Sequence, residues 1–206
     1  MAPVTLRTAR LTLSLPTEAD VDAITDAAQD PEVPRWTTLP SPYARADAEG
    51  FIAKASGWWD AETELTWGIR ADDRWVGMLG LHRVERGDSA EIGYWMAAPA
   101  RGRGYLTEAA RAVIDFAFDP QGLDLKRVVW RAVVGNVASA RAARALGFRY
   151  EGLIRQGLTG PRGRDDGWIA GLLVSDDRMP QPWPVLEDRG RDLNPDLPRG
   201  RHAVAG

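Results

Sequence analysis

Polar and apolar residues alternate along Arg10-Leu11-Thr12-Leu13-Ser14-Leu15, the two-residue period of a strand with one buried face. Pro16 ends that run, and Thr17 with Asp20 has the spacing of a helix-capping pair ahead of Val21, Ile24 and Ala28. Residues 31 to 42 are rich in proline and aromatic side chains and predict an ordered loop. A second helix is predicted from Arg45 to Ser56, with Ala48, Phe51, Ile52 and Ala55 on one face. Two strands, Leu65 to Arg70 and Trp75 to Val84, then flank the turn-forming pair Asp72-Asp73. A third, Ala90 to Ala97, follows Arg86-Gly87-Asp88 and completes an antiparallel meander. Helical spacing returns at Leu106, Ala109, Ala110, Val113, Ile114 and Ala117. Arg127 to Val134 reads as a buried strand, and Asn136 as the cap of a helix ending at Leu146-Gly147. Phe148 to Arg155 and Trp168 to Ser175 read as a closing hairpin.

The strand–helix–strand unit over residues 90 to 134 needs a crossover helix, and so a parallel pair inside a mainly antiparallel sheet. The expected class is a mixed α/β, α+β-like fold. After Pro180 the chain turns to proline, arginine and aspartate with few apolar residues, too few to offset the entropy of ordering. The expected organisation is one folded domain over residues 1–179 and a flexible tail over 180–206, with Trp183 able to pin its first residues.

Composition narrows the chemistry. The 206 residues include no cysteine, which excludes a disulfide framework, a thiolate metal site and a cysteine nucleophile. His82 and His202 are the only histidines, which argues against a histidine triad or metal cluster. A net charge of −3 argues against nucleic acid as the partner. No run of 18 apolar residues or signal-like leader is present, so a cytoplasmic location without membrane attachment is expected.

The informative stretch is Arg101-Gly102-Arg103-Gly104-Tyr105-Leu106-Thr107-Glu108, between a predicted strand and a predicted helix. Glycines there let successive N–H groups converge on an anion, and the helix aims its positive dipole end at the same point. Arg101 and Arg103 add cationic charge. These features describe a pyrophosphate cradle, although the string alone fits a plain strand-to-helix turn equally well. It matches neither a Walker loop nor the Gly-x-Gly-x-x-Gly dinucleotide pattern.

The run AEIGYWMAAPARGRGYLTEAARAVIDFAF resembles the core motif of the GNAT acyltransferases, in particular the RimJ/RimL-like branch that acetylates ribosomal-protein N-termini. RTARLTLSLPTEAD, WVGMLGLHRVE and GNVASARAARALGFRYEGLIRQ match in the same order, so the resemblance covers roughly residues 5 to 177. It implies two parallel strands that splay apart, with the pantetheine of acetyl-CoA between them. Backbone groups of Trp95, Met96 and Ala97 would meet the pantetheine and polarise the thioester carbonyl. N–H groups from Gly102 through Thr107 would hold the pyrophosphate, with Arg101 and Arg103 beside it. Asn136 and Ser139 match the family's Asn-x-x-Ser, and Arg141 falls where a CoA phosphate would be met. The sequence departs from the family at Leu106, where glycine or alanine is usual; its N–H survives, and its side chain is expected to pack inward. A homodimer is also compatible with the resemblance.

Acetyl transfer needs a neutral amine, a polarised carbonyl and a protonated leaving thiolate. An α-amine, with a pKa near ~8, asks less of a base than a lysine amine near ~10.4. Glu91 is the candidate base, or else a solvated strand carboxylate. Ser139 is the candidate proton donor to sulfur rather than only a helix-end residue. Asp166 and Glu151 match acidic positions that would attract a substrate ammonium, or are ordinary surface charges. Trp36, Trp58, Trp59 and Trp168 fall in segments that would line an acceptor cleft. Tyr94, Tyr105 and His82 are expected to be structural. The resemblance thus implies direct transfer of acetyl from acetyl-CoA to a primary amine, such as a ribosomal-protein N-terminus, without a metal. The alternative is a noncatalytic CoA-binding sensor or scaffold.

Overall fold

The computed structural model describes residues 1–160 and 163–187. Eight strands form one sheet in the order β1-β2-β3-β4-β5-β6-β8-β7. They are β1 (Leu6–Arg7), β2 (Leu11–Ser14), β3 (Glu64–Ala71), β4 (Arg74–Glu85), β5 (Ser89–Met96), β6 (Arg127–Val133), β7 (Arg149–Gly160) and β8 (Gly163–Leu173). Every neighbouring pair is antiparallel except β5 and β6, which run parallel as the crossover argument requires. The helices are α1 (Val21–Ala28), α2 (Glu32–Trp36), α3 (Arg45–Asp60), α4 (Tyr105–Phe118), α5 (Val137–Ala145) and α6 (Pro184–Glu187).

Local chemistry sets the turns. Asp72 and Asp73 both take positive φ, 49° and 59°, the geometry of a tight hairpin turn that aspartate tolerates. The meander that this turn opens separates two cores. On one face α4 and α5 pack their small and apolar residues against Leu65, Trp67, Leu79, Leu81 and Ile92. On the other, α1 and α3 bury Val21, Ile24 and Ala48 with Met78, against partly buried Trp75 and Trp95. Among the described residues no helix is long and apolar enough to cross a membrane.

Three expectations need correction. The loop over residues 31 to 42 contains the short helix α2. The closing hairpin is longer than its hydrophobic runs, because β7 and β8 continue through polar residues around two register shifts. The boundary drawn at residue 179 moves, through the pin that the sequence allowed to Trp183. Trp183 is fully buried, donates Nε1–H to the Phe148 carbonyl at 3.0 Å, and packs in tilted contact with the rings of Trp130 and Tyr150, centroids 5.4 and 5.6 Å away. One large aromatic surface is enough to hold residues 180–187, with Val185 and Leu186 beside it. The rest of the expected tail, residues 188–206, lies outside the described residues.

Candidate active site

The parallel pair parts midway. Pairing between β5 and β6 ends at Ile92↔Trp130, yet β5 continues to Met96 and β6 to Val133. Ala97 N–H bonds the Val76 carbonyl at 3.0 Å, so alternation along the β4–β5 ladder turns the backbone groups of Tyr94 and Met96 toward the gap. The Met96 carbonyl accepts from Arg101 Nε at 3.1 Å. Of the trio Trp95, Met96 and Ala97, Met96 is therefore the residue whose N–H faces the opening. A cavity of about 1180 Å³ runs through this gap, from the start of α4 to the helices α2 and α3.

At the α4 end the wall is backbone. Gly102 and Gly104 adopt φ of 74° and 78°, a left-handed geometry that bends the loop into the helix start. Gly104 caps α4, and its carbonyl accepts from Glu108 N–H at 3.1 Å. The six N–H groups of residues 102–107 find no acceptor among the described residues. Six unpaired donors at a helix start, five of them on cavity-lining residues, form an anion cradle. Glu108 braces it from behind: Thr8 Oγ1 donates at 2.5 Å, Arg10 N–H at 3.0 Å and Arg10 Nε at 2.7 Å, while Arg10 Nη1 holds the Arg103 carbonyl at 3.1 Å. Burial raises the Glu108 pKa, but the hydrogen bonds from Thr8 and Arg10 outweigh it and leave the carboxyl below its usual range.

The arginines serve this end differently from expectation. Arg101 spends its guanidinium on the Met96 carbonyl and on Asp30, 2.7 Å away, so its side chain shapes the loop instead of adding charge to the cradle. Arg103 is exposed, outside the cavity lining, as is Arg141 on α5. Leu106 packs partly against the core, as its place on the helical stripe foretells, while one side still lines the cavity.

The α5 side supplies hydroxyls. Asn136 caps α5, its Oδ1 accepting Ser139 N–H at 3.2 Å, so the capping role falls to Asn136 and frees the Ser139 side chain. Trp130 Nε1 donates to Ser139 Oγ at 3.0 Å, Ser139 Oγ reaches Tyr94 Oη at 3.2 Å, and Tyr94 Oη donates to the Ser139 carbonyl at 3.1 Å. Burial pushes the Tyr94 phenol up to about 12, although hydrogen bonds from Ser139 and Trp130 pull the other way. Tyr94, expected only to pack, is thus a protonated hydroxyl joined to Ser139 at the splay.

The far end is lined by side chains. Trp36, Tyr43, Phe51, Trp58 and Trp95 form aromatic walls. Trp36 Nε1 donates to Glu32 Oε2 at 2.9 Å, and that bond, with a second from Arg35, holds Glu32 below the usual carboxylate range. Glu91 lines the cavity too, but its Oε2 already accepts from Arg83 and from Arg131, whose Nε lies at 3.0 Å. Other expected acceptor residues lie elsewhere. Trp59 and Trp168 are core residues. Asp166 accepts Gln156 N–H at 2.7 Å inside the β7–β8 hairpin, and Glu151 pairs with Arg127 at 2.5 Å. Neither carboxylate lines the cavity.

One constellation escaped the sequence reading. His82 Nδ1 meets the Glu64 carboxylate, and both line the cavity. Glu64 faces His82 across β3 and β4 only because a bulge at Ile69/Arg70 shifts the register by one. A regular two-residue hairpin would put Glu64 opposite Leu81 and turn it to the other face.

The family model of the acetyltransferase (GNAT) domain matches residues 10–149. YdaF of Bacillus subtilis (strain 168), which carries a provisional ribosomal N-acetyltransferase name, is 40% identical over 92 residues, 44% of this chain and 49% of YdaF. The ribosomal-protein-serine acetyltransferase of Escherichia coli (strain K12) is 33% identical over 89 residues, 43% of this chain and 49% of that protein. These two alignments span about half of each relative. The structure of Mycobacterium smegmatis RimJ in complex with CoA-disulfide superimposes with a TM-score of 0.76 at 22% identity, covering 84% of this chain and 90% of RimJ. With its splayed parallel pair and its glycine-led helix start, the chain belongs to the acetyltransferase (GNAT) domain family.

Proposed function

We propose that the protein transfers acetyl from acetyl-CoA to a primary amine, by direct attack with both substrates bound. The observation that carries this reading is the continuity of one cavity from six unpaired N–H groups, through the splay, to an aromatic and carboxylate-lined end. The chain's own donors fit the cosubstrate. The N–H groups of residues 102–107 would hold the pyrophosphate, and Met96 N–H would meet the thioester or pantetheine amide. Acetyl-CoA supplies the activated acetyl group. The residues do the rest: hold the carbonyl against a donor, bring the amine to it, and return a proton to sulfur from the Ser139–Tyr94 hydroxyl pair. The acceptor class we propose is an α-amine of a protein N-terminus or of a small molecule. Two relatives with ribosomal-protein names support it, and the carboxylates at the far end would receive an ammonium.

Calorimetric titration with acetyl-CoA, with ATP as control, tests the reading. One-to-one micromolar binding of acetyl-CoA alone, weakened about tenfold by Asn136→Ala, is the expected result, followed by CoA release when amines are added. Equal binding of ATP, or none of acetyl-CoA, would overturn it. Binding with no release across protein N-termini, amino acids and polyamines would point instead to a sensor.

A further inference from the structure

We infer that His82, oriented by Glu64, is the general base that takes the proton from the acceptor amine. The inference rests on the reading of the cavity as an acetyltransfer site and names a residue within it. Glu91, the carboxylate first expected in that role, has its Oε2 committed to two guanidiniums, those of Arg83 and Arg131. His82 is arranged differently. Glu64 engages Nδ1, and a carboxylate there accepts the Nδ1 proton, which leaves Nε2 with its lone pair.

That nitrogen lies beside the splay. The ring lies over two glycines of facing strands: a Cβ on Gly93 would come within 2.8 Å of Nε2, and one on Gly80 within 3.3 Å. Any larger residue at position 93 would displace the imidazole, so this glycine makes the ring's place. Gly93 is also the first residue beyond Ile92, where β5 parts from β6. At roughly 3.3 Å per residue, Met96 lies only about 10 Å further along β5. An amine positioned over the gap can reach Nε2 directly or through one water. His82, Glu64, Gly80 and Gly93 all line the cavity, and His82 remains 40% exposed at its side chain, so its proton can leave to solvent. The charged groups that share the cavity with the ring are Glu64 on β3, Arg83 on β4, Glu91 on β5, Arg131 on β6, Glu32 on α2, Asp47 and Lys54 on α3, and Arg101 ahead of α4.

The step balances as follows. The amine nitrogen gives one proton to Nε2 and forms the C–N bond to the acetyl carbon. The C–S bond breaks and its electron pair goes to sulfur, which is protonated from the Ser139 side. The imidazolium then releases its proton to water, and the Ser139–Tyr94 hydroxyl pair regains one from water, so every group returns to its starting state. Glu64 acts through His82 and is a positioning residue.

The test uses the full chain and its two histidines. Long-range proton–nitrogen NMR, with His82→Gln to assign the signal, reads the tautomer directly; Nδ1–H in the wild type is expected, and a neutral Nε2–H form would overturn the inference. Acetyl-CoA turnover is then followed by thiol release with a seryl tetrapeptide and with phenethylamine as probes. His82→Gln should lower kcat/KM about 100-fold or more while acetyl-CoA affinity stays within twofold. Added imidazole should recover part of the activity of His82→Gly, and Glu64→Gln should lose an intermediate amount. The pH dependence of kcat/KM should change between wild type and His82→Gln, which a merely structural side chain would leave unmoved. Turnover within threefold of wild type in His82→Gln would overturn the inference and leave the acetyltransferase reading standing. Failure to bind acetyl-CoA would remove both.

Discussion

The two ends of the cavity are made of different materials. At the α4 end the contacts are backbone N–H groups presented by a loop with two left-handed glycines. At the α2–α3 end they are side chains: indoles, a phenol and carboxylates already paired with imidazole, indole or guanidinium partners. A backbone cradle recognises a phosphate group that never varies, and most side chains can be exchanged without touching it. A wall of side chains recognises whatever its residues happen to fit. On the function proposed above, the first end would hold the cosubstrate and the second would select the acceptor.

The largest effect should follow from breaking the backbone end. At Gly104 a Cβ would meet only Arg10 Nη2, at an unstrained 3.5 Å, so space is not the obstacle. The obstacle is φ of 78°, which costs a β-branched residue roughly 1–3 kcal/mol and is relieved only by moving the loop. Gly104→Val is therefore expected to weaken acetyl-CoA binding about 100-fold by calorimetry, equivalent to about 2.7 kcal/mol. Trp36→Ala, at the opposite end, should leave that affinity within twofold and raise the KM of the acceptor. Equal effects of the two substitutions would mean that the ends are not separate sites.

The middle of the cavity offers a sharper measurement, because Tyr94 titrates differently folded and unfolded. Its phenol is raised from the ordinary value of 10.0 to about 12, chiefly by burial. The protonated form is the one the fold favours, so this contribution is complete below pH 10 and is lost as the pH rises toward 12. Over that window the wild type should lose about 2 kcal/mol more stability than Tyr94→Phe, measured by urea unfolding. Tyr43 and Tyr150, also raised by burial, are present in both proteins and cancel in the difference. A parallel decline would place Tyr94 in contact with water, and its proton could no longer be reserved for Ser139 and the leaving sulfur.

The same division governs what can be read from the chain. The cradle was legible because its chemistry is local: glycines, a helix start and an apolar stripe occupy consecutive residues, and backbone donors follow from φ alone. Asn136 and Ser139 were legible for the same reason, lying three apart at one helix start. The sheet and its parallel pair followed from periodicity and the crossover rule. The far end was not legible, because its members come from α2, α3, β3, β4 and β5 and meet only through register. His82 and Glu64 are 18 residues apart, and a single bulged residue decides whether they share a face. Arg101 shows the converse failure. Its place in the motif suggested a phosphate contact, but Asp30, on a distant segment, claims it instead.

The smallest effect concerns Asp166, which the resemblance had placed beside the acceptor. In the structure its carboxylate takes Gln156 N–H at 2.7 Å, its carbonyl takes Val134 N–H at 3.0 Å, and it stands outside the cavity. Gln156 adopts φ of 48° where the β7–β8 register shifts, so the bond holds an irregular piece of hairpin. An amide oxygen can accept the same N–H, whereas a methyl group cannot. Asp166→Asn should accordingly keep turnover within twofold of wild type and stability within about 0.5 kcal/mol, while Asp166→Ala loses about 1 kcal/mol with turnover still largely retained. The comparison of asparagine with alanine separates the two roles. A charge that receives the substrate ammonium would be lost equally in both variants, so a tenfold fall in kcat/KM for Asp166→Asn would return this residue to the acceptor end.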